Sequence, residues 1–228
     1  MFERNNSILG SGQLSLTITA KAFAFDMDGT IVDSTDLIGR LWREWAAKHK
    51  LDADPILRAA PGRKAIDIVR QFGPPGINPE VEAGKLAASA ARETIGLREI
   101  AGAKRFLKSL PLERWAIVTS AERKLADRWL SFLQFPRPSV LITSEDVNNG
   151  KPSPDGYLLA TKQLGYRPED LVAFEDSDSG LKAALAAGLR SVAIGKQPMP
   201  SVLCTIADFS QVGILSSDQS HVRISLGV

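Results

Sequence analysis

The run Ala22-Phe23-Ala24-Phe25, followed at once by Asp26-Met27-Asp28-Gly29-Thr30, constrains this chain more than any other stretch. Successive apolar residues leave no polar face, so the segment reads as a strand buried on both sides, the kind that occupies the middle of a parallel sheet. Two carboxylates separated by Met27 then fall at the carboxyl end of that strand, where open parallel sheets place ligands. A turn at Gly29 can swing both toward one point.

Similar apolar runs recur at 115–118, 140–142, 171–174 and 191–194. Helix-period segments lie between the later ones, with Leu125, Trp129 and Leu133 in one and Leu181, Ala184, Leu185 and Gly188 in another. Alternation of strand and helix is the pattern of an α/β fold with a parallel sheet. A strand-helix-strand unit takes about 30 residues, yet the second strand begins only near Trp115, which leaves roughly sixty residues to place elsewhere. These are helical in pattern: Leu37, Ile38, Leu41, Trp42 and Trp45 form one apolar stripe, Ile66, Val69 and Ala87 belong to others, and "GPPGINP" at 73–79 is a break. The expected organisation is an N-terminal extension over 1–20, an α/β core over 21–34 and 98–228, and a helical cap domain over 35–97, inserted so as to cover the aspartates and exclude water. Alternation in "LSLTI" and "HVRISL" adds two strands that either pair with each other or extend the sheet, and residues 1–12 are expected to be loose.

Composition narrows the class. A chain of 228 residues, 44% of them apolar, has ample material for a packed core. An excess of only two positive charges marks no nucleic-acid-binding or membrane-binding surface. The single cysteine, Cys204, can form no internal disulfide, the first twenty residues hold no apolar signal run, and no segment has the length of a membrane span. The expectation is a soluble cytoplasmic protein that acts as a monomer.

Three more clusters follow the later strands: Thr119-Ser120 after the second, Lys151 within "NNGKPSPDGY" after the third, and Glu175-Asp176 within "FEDSDSG" after the fourth. Hydroxyl, ammonium and carboxylates converging on one rim suit phosphoryl transfer, which needs a carboxylate nucleophile, a hard divalent cation on oxygen ligands, and donors for the phosphoryl oxygens. One of Asp26 and Asp28 can attack while the other handles the leaving-group proton. Thr119 and Ser120 can instead cap the next helix. Asp178 reads as a cap or solvated residue of a helix starting near Ser179, Trp42 and Trp45 as packing within the inserted helices, and His49 and His221 as isolated residues with no metal to hold.

The motifs "DMDGT", "VTS", "GKPSPD" and "FEDSDSG" occur in the order found in haloacid dehalogenase superfamily phosphohydrolases, which the chain resembles over nearly all its length beyond the N-terminal extension. The insert resembles that superfamily's helical cap, and "LPLERWAIVTS", "ITSEDVNNGKP" and "PGRKAIDIVRQF" are most similar to its sugar and polyol phosphate phosphatases. The resemblance implies a Rossmann-like core in which Asp26 is the nucleophile that forms an aspartyl-phosphate and Asp28 the general acid and then base. It implies that Thr119 bonds the phosphoryl group, that Lys151 neutralises charge, and that Mg2+ is held by Asp26, the main-chain carbonyl of Asp28, Asp176, and Glu175 directly or through water. Ser120 and the cap residues Arg63, Lys64 and Asp67 are the expected substrate contacts, and the partner is a small phosphorylated metabolite. A sugar phosphomutase of the same superfamily would use the same residues. A non-catalytic binding module is disfavoured because Asp26, Asp28 and Lys151 are all present. "AGA" at 101–103 stands where the family usually has "PGA", which bears only on the rigidity of that hinge.

Overall fold

The computed structural model describes residues 6–9, 13–195 and 201–227. The first elements are β1 (Asn6–Leu9), β2 (Gln13–Ala20), β3 (Ala22–Phe25) and β4 (Val32–Asp33), then helices α1 (Thr35–Lys48), α2 (Ala53–Ala59), α3 (Ala65–Phe72) and α4 (Pro79–Arg92). There follow β5 (Arg98–Glu99), α5 (Ala103–Ser109), β6 (Trp115–Val118), α6 (Arg123–Phe132), β7 (Val140–Ile142), α7 (Asp155–Leu164), β8 (Leu171–Glu175), α8 (Asp178–Ala186) and β9 (Arg190–Ile194). The last are β10 (Cys204–Ile206), β11 (Val212–Ser217) and β12 (Val222–Gly227).

Every apolar run read as a strand lies in one six-stranded sheet of order β10-β9-β8-β3-β6-β7, with β3 parallel to both β6 and β8. The alternation inside "AFAF" now has a cause. Phe23 and Phe25 point into a large cluster with Phe106, Trp115, Ile117 and Phe174. Ala22 and Ala24 point the other way, into a cluster with Ala116, Ala173, Ala183 and Ala184. Small residues on that face let α7 and α8 approach the sheet closely, while aromatic residues fill the wider layer opposite.

Of the two arrangements open to the terminal strands, the structure takes pairing with each other: β2 and β12 run antiparallel in a separate four-stranded sheet, β1-β2-β12-β11. Residues 6–9 are not loose, because their main chain is held by β2 with Asn6 opposite Leu16 and Leu9 opposite Gln13. The remainder of that expectation, over 1–5 and 10–12, lies outside the described residues.

Helices α1 to α4 form the segment inserted between β4 and β5, which pair antiparallel where the insert leaves and rejoins the core. Their centre is Trp42, Trp45 and Ala46 packed on Ile56, Ile68 and Val69, with the two indoles edge-to-face at 5.5 Å. Asn78 caps α4 by accepting from the Val81 amide, and Pro79 takes the first helical position, where no amide is needed. Glu82 ties α4 to α1 by accepting from Trp45 Nε1, Lys48 and Lys85, and His49 Nε2 lies 3.1 Å from the same carboxylate. The bonds from Lys85 and Lys48 hold the Glu82 pKa down at about 2. Among the described residues no helix is long and apolar enough to cross a membrane.

Phe209 fixes the C-terminal segment to the core: its ring is fully buried, 5.4 Å from Phe174, 5.8 Å from Phe106 and 6.0 Å from Phe25. Phe209→Ala is expected to cost about 3–5 kcal/mol in urea unfolding, the usual loss for deleting a buried ring. A loss below about 1 kcal/mol would mean that this segment is not part of the core.

Candidate active site

The site lies at the carboxyl ends of β3, β6, β7 and β8. Asp26 is held in line with β3, its amide donating to the Phe174 carbonyl of β8 at 3.0 Å. The chain then turns tightly, with the Ile31 and Val32 amides both donating to the Met27 carbonyl. Gly29 sits in this turn at φ +83°, and a Cβ there would overlap the Asp176 carboxylate, so only glycine lets the β8 loop close against it. Ser34 donates to Asp28 Oδ1 at 2.7 Å, and Thr30 donates to Asp176 Oδ1 at 3.3 Å.

At the centre is Lys151, whose ammonium is 2.5 Å from Asp26 Oδ1, 2.6 Å from Glu175 Oε1 and 3.0 Å from the Val118 carbonyl. Tyr157 of α7 also donates to Glu175 Oε1, at 2.6 Å, and Ser177 donates to Oε2 at 3.3 Å. Tyr157 was not singled out in the sequence. It stands inside "NNGKPSPDGY", but a tyrosine on a helix carries no chemical signal until the fold brings it to Glu175.

The electrostatics of this cluster are lopsided. Burial and then the Glu175 charge raise the Asp26 pKa well above the carboxylate range, outweighing Lys151. The same two causes push Asp176 up to about 7. Burial raises Asp28 against the hydrogen bonds from Ser34 and Thr119. For Lys151, burial works against the ammonium, but the Asp26 and Glu175 carboxylates prevail and hold its pKa above the ordinary value. A single ammonium therefore faces Asp26, Asp28, Glu175 and Asp176, and the cluster is short of positive charge. Asp26 Oδ2 is buried with no hydrogen-bond partner among the described residues. Asp26, Glu175 and Asp176 bring one oxygen each within 4.8 Å of one another. Three carboxylates that close to one another, served by a single ammonium, are an all-oxygen acidic set that fits a hard divalent cation.

Thr119 is held by its amide, which donates to the Ile142 carbonyl at 2.9 Å, and its hydroxyl accepts from the Ala121 amide at 3.1 Å. Ser120 donates to the Gly62 carbonyl at 2.7 Å, across to the insert. Neither caps α6, where Glu122 occupies the N-cap position. The α8 helix is capped by Ser177, whose hydroxyl accepts from the Gly180 amide. Asp178 is thus a residue of the first turn and not the cap, and it is exposed and paired with Lys182.

Asp26, Asp28, Asp176, Ser120 and Arg63 line a cavity of about 360 Å3 between insert and core. A second cavity of about 550 Å3 adjoins it, sharing Ile38, Trp42 and Ser120, and carries Lys64 and Asp67 on its wall. Arg63 donates to Gln71, Asp67 lies 3.7 Å from Arg70, and the Lys64 ammonium donates to main-chain carbonyls of the core. The structure thus brings Asp26, Asp28, Thr119, Lys151, Glu175 and Asp176 to one point, and spreads Ser120, Arg63, Lys64 and Asp67 over the walls above it.

Residues 20–188 match the haloacid dehalogenase-like hydrolase family. Hexitol phosphatase A of Escherichia coli (strain K12) is 37% identical over 178 residues, covering 76% of this chain and 82% of that protein. Glycerol-1-phosphate phosphohydrolase 2 of Saccharomyces cerevisiae is 33% identical over 190 residues, covering 78% of this chain and 76% of that protein. The crystal structure of a hydrolase from Pseudomonas syringae shares the fold, with a TM-score of 0.73 at 24% identity over 83% of this chain and 94% of that one. Sheet order, motif placement and relatives agree, and the chain belongs to the haloacid dehalogenase-like hydrolase family.

Proposed function

We propose that the protein is a phosphatase that hydrolyses small sugar or polyol phosphate monoesters through a phosphoryl group carried on Asp26. The observation that carries this reading is the state of the Asp26 carboxylate: one oxygen is held by Lys151, the other has no partner among the described residues, and the residue lines a cavity. A carboxylate nucleophile needs an oxygen free of donors and a counter-charge for its ionised form. The hexitol phosphatase and glycerol-1-phosphate phosphohydrolase that match most of the chain support the substrate class.

In the first step Asp26 Oδ2 bonds to phosphorus as the bond from phosphorus to the leaving-group oxygen breaks, and Asp28 gives that oxygen its proton. Burial favours the protonated form of Asp28 that this step requires. In the second step the ionised Asp28 takes a proton from water, the water oxygen attacks phosphorus, and the bond to Asp26 breaks to release inorganic phosphate. The Lys151 charge favours the ionised form of Asp26 that attacks and the added cation would reinforce it, Glu175 and Tyr157 hold Lys151 in place, and Thr119 donates to the phosphoryl oxygens. Mg2+, held by the Asp26 and Asp176 carboxylates and the Asp28 main-chain carbonyl with Glu175 beside them, would supply the missing positive charge against the phosphoryl oxygens. The core reads only the phosphate, so Arg63 and Asp67 on the cavity walls are left to read the leaving group.

Asp26→Asn is expected to lower phosphate release by at least about 10⁴-fold, and Asp28→Asn by about 10² to 10⁴-fold with metal affinity retained. Near-normal turnover of Asp26→Asn, or of wild type in a chelator, contradicts the reading. Discrimination among leaving groups is measured by kcat/KM for hexitol, hexose, glycerol and aryl phosphates. Asp67→Ala should lose about 5 to 150-fold on hydroxyl-rich substrates and little on the aryl ester, whereas a uniform loss would assign Asp67 to the fold.

Asp176 sets a pH dependence. Its folded pKa of about 7 lies above the unfolded value, so the metal-free fold is favoured on the acid side and loses stability as pH rises through about 7. A cation must displace that proton, so Mg2+ affinity measured by calorimetry should rise by up to about tenfold per pH unit below about 7 and level off above it. An affinity flat across that range would remove Asp176 from the ligand set.

A further inference from the structure

Lys64 precedes α3 and is only 8% exposed, deep burial for a lysine. Its ammonium donates to the carbonyls of Val147 at 2.7 Å, Ser144 at 2.8 Å and Asn148 at 3.3 Å. All three belong to the core loop after β7, on the far side of the seam between insert and core. They match the three donors of an ammonium, which has no ion-pair partner within 4.0 Å among the described residues. The methylene stem lies along Gly150, where a Cβ would come within 2.7 Å of Lys64 Cγ and 2.9 Å of Cε. The residue after Gly150 is Lys151, which bonds Asp26 and Glu175. Two more bonds cross the same seam: Ser120 to the Gly62 carbonyl at 2.7 Å and Ser179 to the Pro61 carbonyl at 2.9 Å. Residues 61–64 of the insert thus touch the loops that follow β6 and β7 and the first turn of α8.

From this geometry we propose that Lys64 is a latch that holds the insert down over the site, keeps the 144–151 loop where it aims Lys151 at Asp26, and takes no part in reading the leaving group. It is a positioning residue. The contact itself stands on the geometry alone, and its effect on turnover rests on the phosphatase reading. Burial lowers the Lys64 pKa, so the carbonyls offset a real desolvation cost. If the insert lifts, the ammonium returns to water and the carbonyls to solvent, so the net strength of the latch is modest and it can release within a catalytic cycle. Gly150 is then glycine because a cap lysine occupies the space of its side chain.

Hydrogen exchange read by mass spectrometry on wild type, Lys64→Met, Lys64→Arg and Gly150→Ala tests this without activity. Lys64→Met and Gly150→Ala should each speed exchange about tenfold or more in both 60–66 and 144–151, with β3 and β8 unchanged. Lys64→Arg, which keeps the charge, should stay close to wild type. The Lys64→Met/Gly150→Ala double variant should exchange no faster than either single variant, because both remove one contact. For kcat/KM the expected effect of Lys64→Met is a common loss of about 10 to 100-fold on every phosphomonoester, the aryl ester included, carried mainly by KM because substrate must then drive closure.

Unchanged exchange in Lys64→Met or additive effects in the double variant would overturn the latch. Losses confined to hydroxyl-rich substrates would make Lys64 a substrate-reading residue instead. Should Lys64→Met fail to fold, Gly150→Ala, which keeps the lysine but displaces its stem, carries the same exchange test. A wild type that hydrolyses none of the phosphomonoesters refutes the phosphatase reading, and the exchange result still decides the latch.

Discussion

The Lys151 ammonium, set between Asp26 and Glu175 and sealed from water, is the contact on which the rest of the site depends. Parallel order puts β3 beside β8, so the carboxylates that end these strands must be neighbours. Four of them in a dry space repel one another strongly, and a lysine shared by two is what makes the arrangement tolerable. It does not neutralise them. The surplus negative charge, visible in the raised pKa values of Asp26 and Asp176, is what a divalent cation would complete. Removing Lys151 would leave buried charges uncompensated, so this group serves the fold and the proposed chemistry together.

Around that centre the two parts of the chain divide the work. The core supplies rigid strand ends, backed on one face by alanines and on the other by the Phe25, Phe106, Phe174 and Phe209 cluster. The insert supplies the walls, with Trp42 common to both cavities, and it meets the core along a seam of hydroxyl-to-carbonyl and ammonium-to-carbonyl bonds. Such bonds are directional and individually modest, suited to a contact that forms and releases.

Much of this could be read from sequence because the signals were local. "AFAF" could only be a doubly buried strand, and the chemistry-bearing residues each followed such a strand, where parallel sheets put their sites. The stripe through Trp42 and Trp45 needed only helical periodicity. What stayed hidden was long-range. The Asn6–Leu9 strand exists because β2 is there to pair with it, and only the fold decides that β2 pairs with β12 and does not extend the parallel sheet. Tyr157 acquires a role only through Glu175, and Lys64 only through carbonyls of a loop roughly eighty residues away, groups every residue carries and no sequence pattern reveals. At α8 the fold decides between the two readings of Asp178: Ser177 captures the Gly180 amide, and Asp178 is the solvated residue of the first turn.

The account centres on Asp26 as the atom-bearing nucleophile. Its most direct test is to mix Asp28→Asn with Mg2+ and an aryl phosphate, whose leaving group departs without a proton, quench in acid, and locate any added mass by peptide mass spectrometry. With the water-activating base removed and no leaving-group proton required, one phosphoryl group is expected to accumulate on Asp26 itself and to disappear in Asp26→Asn/Asp28→Asn. Wild-type hydrolysis of the same substrate with no phosphoryl group on Asp26 in the trapped variant, or with the group on another residue, would contradict it.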